Sequence, residues 1–89
     1  MSEFDPALVY GRNVMTSETL SLQDAKARVY ADMAAFMPAE SLKRTQWYTW
    51  DLGGGVLEVV ARYPGKGNQI TLGNDKAAWW TPEELEASC

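Results

Sequence analysis

Tryptophan has the most chemistry to offer in this chain. Four occur among 89 residues, Trp47, Trp50, Trp79 and Trp80, all in the second half. An indole buries a large area at low entropy cost and carries one N–H donor, which is why aromatic residues recur at interface hot spots. The acid–base repertoire is thinner. There is no histidine, so the commonest general base, the usual zinc nitrogen ligand and the side chain that titrates nearest neutrality are all missing. The one cysteine, Cys89, is the last residue. It forms no disulfide within one chain and no cysteine-rich zinc site. A lone thiol fits a reducing compartment.

Two patterns imitate catalytic motifs and fail on inspection. Asp51 and Glu58 would approach each other across a hairpin, but on its solvent face, where a carboxylate pair lacks the burial that acid–base work needs. Pro64-Gly65-Lys66-Gly67-Asn68 has the glycines of a phosphate loop. It lacks the spacing and the following Ser or Thr, and no helix starts there. It reads as a turn. The serines and threonines have no histidine to activate them. The composition therefore points away from an enzyme and implies no cofactor and no metal.

Charge narrows the partners. Twelve acidic and eight basic side chains give −4 and a pI near 4.6. The basic residues are scattered, and only Lys43 and Arg44 are adjacent. A protein that neutralises phosphates needs a positive face, so nucleic acid is a poor partner. A protein with a basic surface is a better one. The acidic start, Met1-Ser2-Glu3-Phe4-Asp5-Pro6, is no signal peptide. No apolar run reaches the roughly 20 residues of a membrane span. The expectation is a soluble cytoplasmic protein, with residues 1–89 forming one small domain and 1–6 a frayed tail.

The elements that must position the indoles follow from pattern. Residues 7–15 are apolar and partly β-branched, and they read as a strand interrupted by Gly11. Ser21 caps a helix, with Asp24 in its first turn. Leu22, Ala25, Val29, Met33, Phe36 and Met37 share about a third of the wheel, and Pro38 ends the helix. Its back carries Ala27, Ala31 and Ala35, either simply solvated or a face on which a second helix could pack. Ala39–Arg44 is a short helical turn. Residues 45–52 and 56–63 read as strands joined at Gly53-Gly54-Gly55. Residues 69–72 and 77–80 read as a third and a fourth strand. Thr81, Pro82 and Glu84 open a short final helix with a capping box. The expected fold is α+β: one long helix on a three- to four-stranded antiparallel meander with a short C-terminal helix, in the order (β)αβββα.

Alternation then assigns faces. Tyr48, Trp50, Leu52, Leu57, Val59, Ala61, Tyr63, Ile70 and Leu72 should meet the helix. Trp47, Thr49, Asp51, Glu58, Val60, Arg62 and Thr71 should face away. With Gly54-Gly55 as the hairpin loop, Trp50 faces Val59 and Tyr48 faces Ala61. A two-residue slip instead sets Trp47 opposite Val60. On either register Trp47 is an anchor on the free face or a cover beneath the N-terminal strand, and Arg62 is close enough to stack on it. Trp79 and Trp80 are consecutive in an extended segment and must point opposite ways. Trp47, Arg62, Trp79 and Trp80 are therefore the candidate partner-binding residues.

In length, acidity, aromatic richness and lack of motifs the chain is similar to the small orphan proteins of bacteriophages, some of which inhibit host enzymes or host defence complexes. That likeness is one of bulk properties and transfers no residue. It implies a non-enzymatic protein-binding module, an inhibitor or modulator of a larger partner. The alternative is a homodimeric structural or accessory subunit, assembled through the alanine stripe or a sheet edge. A nucleic-acid regulator and a small enzyme come behind both.

Overall fold

Ser21 starts the first helix as its sequence requires: extended itself, it takes the Asp24 N–H on its Oγ at 3.1 Å. In the computed structural model, which describes residues 4–65 and 77–87, this helix, α1, covers Leu22–Ala34. It is shorter than the expected 22–37, because residues 35–37 already turn ahead of Pro38. A separate helix, α2, follows at Ala39–Arg44. Ala25, Val29 and Met33 are fully buried, one turn apart on the stripe that meets the sheet.

Among the described residues four antiparallel strands make that sheet: β1 Tyr10–Met15, β2 Gln46–Gly53, β3 Val56–Tyr63 and β4 Ala78–Trp79. The last helix, α3, is Pro82–Ala87. The class is α+β, but the strand order is β1-β3-β2-β4, which is not a meander. β2 and β3 form the hairpin. β1 takes the outer side of β3, so β4 can reach only the outer side of β2. The strand expected at 69–72 lies outside the described residues.

The glycine hairpin decides which side chains go inside. Gly54 and Gly55 have φ of +65° and +82°, as a two-residue turn of mirror-image type requires. Gly53 has φ +86° and pairs with Val56, yet Asp51 pairs with Leu57. Leu52 is thus an extra residue on β2, a β-bulge with glycine in the left-handed region. The Gly53 N–H donates to Asp51 Oδ1 at 2.8 Å and holds the bend. One extra residue inverts every side chain before it.

Both expected registers are therefore corrected. Trp47 lies opposite Ala61, Tyr48 opposite Val60, Thr49 opposite Val59 and Trp50 opposite Glu58. The face assigned to β3 stands, with Val59, Ala61 and Tyr63 buried in the core. The face assigned to β2 is reversed: Trp47 and Thr49 turn to the helices, Tyr48 and Trp50 away. Asp51 turns with Trp47 and Thr49 and lies opposite Leu57, no longer opposite Glu58, whose Oε2 accepts instead from Asn13 Nδ2 at 2.9 Å.

Of the tail expected at 1–6, residues 1–3 lie outside the described residues, and the Phe4 ring packs 5.1 Å from Tyr63 and 5.2 Å from Tyr10. The Tyr63 hydroxyl donates to the Pro6 carbonyl at 3.2 Å.

Candidate interaction surface

The bulge sorts the four indoles into two environments. Trp47 is only 4% exposed. Its ring lies 5.3 Å from Trp80 and 5.7 Å from Tyr30 on α1. Trp80, equally buried, holds Lys26 over its ring at 5.3 Å. Trp47 was expected on the free face; it is a core residue, and its area is spent against α1 and the approach to α3. Arg62 cannot stack on it, because cross-strand neighbours share a face and Arg62 pairs with Gln46, on the side of Tyr48.

The opposite side of the sheet has no helix on it among the described residues. Tyr48 sits at its centre, with Trp50 and Trp79 meeting it edge-on at 5.6 and 5.5 Å. These T-shaped contacts suit the ring quadrupoles and add to area burial. Trp50 is half-buried, and Trp79 stays 55% exposed. Arg62 is exposed on the same face, diagonal to Tyr48. Of the four predicted binding residues, the structure sets Trp79 and Arg62 on this open face and puts Trp47 and Trp80 inside. Tyr48 and Trp50 belong to the patch and were missed, since the register assumed for β2 turned both inward.

A groove of about 500 Å³ opens beside β4, lined by Tyr30, Leu42, Lys43, Trp47, Trp79 and Trp80 among others. Its size falls in the range of small-molecule sites. The Trp80 Nε1–H is buried with no hydrogen-bond partner among the described residues, a cost of about 1–3 kcal/mol. Trp79 lines this groove and also touches Tyr48, so groove and open face meet at one exposed ring.

Among the described residues no three acidic or cysteine side chains come together as metal ligands. No helix among them is long and apolar enough to cross a membrane. Ala27 and Ala31 on α1, and Ala35 just past its end, are exposed. Comparison with protein-family models, curated proteins and solved structures returns no match to this chain.

Proposed function

We propose that this chain is a non-enzymatic module that docks on another protein through the open face of its sheet, and that it inhibits or modulates that partner. The observation that supports this reading is Trp79. It stands 55% exposed on the edge of an aromatic patch, held by the ring of Tyr48, which Trp50 braces from its other side. A pre-positioned indole loses little entropy on binding, and tryptophan is enriched among residues that dominate interface energy. Arg62 adds a cation suited to the rim. The net charge of −4 speeds encounter with a basic partner.

Affinity capture from the native host with quantitative mass spectrometry tests the reading. Trp79→Ala should lower recovery of the specific partner at least about tenfold, a modest hot-spot loss. Its melting temperature should stay within a few degrees of the parent, because the ring is outside the core. Equal recovery with Trp79→Ala would overturn the proposal.

A further inference from the structure

The two edges of the sheet are guarded differently. β4 is two residues long and offers little to pair with. β1 runs for six residues, Tyr10–Met15, and is the other edge. The Thr16 N–H donates to Leu57 O at 2.9 Å, which sets the phase of the strand. In an antiparallel ladder Tyr10, Arg12 and Val14 then turn their backbone groups toward β3, while Gly11, Asn13 and Met15 turn theirs outward. These three residues are exposed, and none of their outward amides or carbonyls has a partner among the described residues.

Among the described residues, β1 lacks most of the devices that blunt an edge. It contains no proline and no lysine, and its pairing with β3 has no bulge. Its one charge, Arg12, is drawn off to Asp32 by bonds of 2.8 and 3.1 Å. Leu8, Val9 and Met15, all more than half exposed, lie on this strand or just before it. A bare row of backbone donors and acceptors flanked by apolar side chains takes an extended chain.

We infer that the occupant is a second copy, with β1 pairing antiparallel to its twin and the two four-stranded sheets becoming one. The strand is complementary to itself. A two-fold axis through Asn13 sets Gly11 opposite Met15 and Arg12 opposite Val14, with no like charges facing. Two neighbouring registers also keep the outward groups matched: one places Arg12 opposite Arg12, which is unfavourable, and the other, centred on Val14, pairs only residues 13–15 of the strand. Asp32, through Arg12, marks the flank of α1 that leans over β1. Arg28, Ala35 and Asp24, all exposed, come next around the helix, a flank with both signs of charge and no bulky apolar side chain. The contact is isologous, so assembly closes at two copies and leaves the aromatic open face free. The inference is thus independent of the docking reading.

Light scattering on the isolated protein tests it at about 100 µM, where a micromolar Kd is saturated. The expected mass is twice 9.9 kDa. Raising salt should tighten the dimer, because each copy carries −4 and screening relieves the repulsion. Asn13→Pro removes an outward N–H and should give a monomer with unchanged far-UV circular dichroism. Met15→Lys keeps the backbone intact and should also dissociate the dimer. Asn13→Cys in a Cys89→Ser background should oxidise to a disulfide dimer, which reads the register directly. Trp79→Ala should leave the mass unchanged. A monomeric parent protein, a dimer that survives both edge variants, open-ended oligomers, or dissociation by Trp79→Ala would each overturn the inference.

Discussion

Trp47 and Tyr48 are neighbours in sequence, nearly equal in exposure at 4% and 3%, and opposite in situation. Trp47 is covered by elements that the rest of the chain supplies, α1 and the segment leading into α3. Tyr48 is covered in part by two rings of its own sheet, one of which is itself open to water. Exposure alone does not separate a core residue from the floor of a contact surface; the identity of what lies on top does. The helix side of the sheet is closed by long-range packing, whereas the open side is a layer of aromatic residues with nothing further above it among the described residues.

The bulge creates this contrast, so removing it should have the largest effect. Deleting Leu52 restores a simple register and drives Trp47 outward and Tyr48 inward. Cooperative unfolding and the near-UV circular dichroism of the native state should both be lost. Native-like spectra in this variant would show that Leu52 does not set the register. Trp47→Ala comes next: emptying a buried indole site costs about 3–5 kcal/mol, read by urea denaturation. A loss below about 1 kcal/mol, the scale of an ordinary surface change, would place Trp47 on the free side after all. Gly53→Ala is milder, since a side chain in the left-handed region costs about 1–2 kcal/mol and an added Cβ meets nothing within 4 Å. The fold should survive, and the melting temperature should fall by several degrees.

Much of this arrangement was legible in the residues. Ser21, the apolar spacing of α1 and Pro38 fixed a helix and its start. The alternation of Val59, Ala61 and Tyr63 identified the inner face of β3, and Gly54-Gly55 marked the turn. What alternation could not supply was the extra residue. Three consecutive glycines allow a plain turn or a turn with a bulge, and the two differ by one position, which is a whole face for every residue of β2 before the bulge. Trp-Tyr-Thr-Trp offered no correction, because it is aromatic on both faces and either phase looks apolar inside. The strand order was also hidden. β1 is apolar enough for an interior strand, and only the topology shows it at the rim. The candidate surface inherited both errors: Arg62 and Trp79 were found from type and position, Trp47 was misplaced by register, and Tyr48 and Trp50 were turned the wrong way.

The uneven housing of the indoles makes the molecule its own optical reporter. Trp47 and Trp80 sit in an apolar interior and should emit at shorter wavelength, shielded from a dissolved quencher, whereas Trp79 should emit nearer the red and be quenched readily. A ligand that covered the open face would shift only that long-wavelength component. Fluorescence could therefore locate an encounter on one side of the sheet without any attached dye.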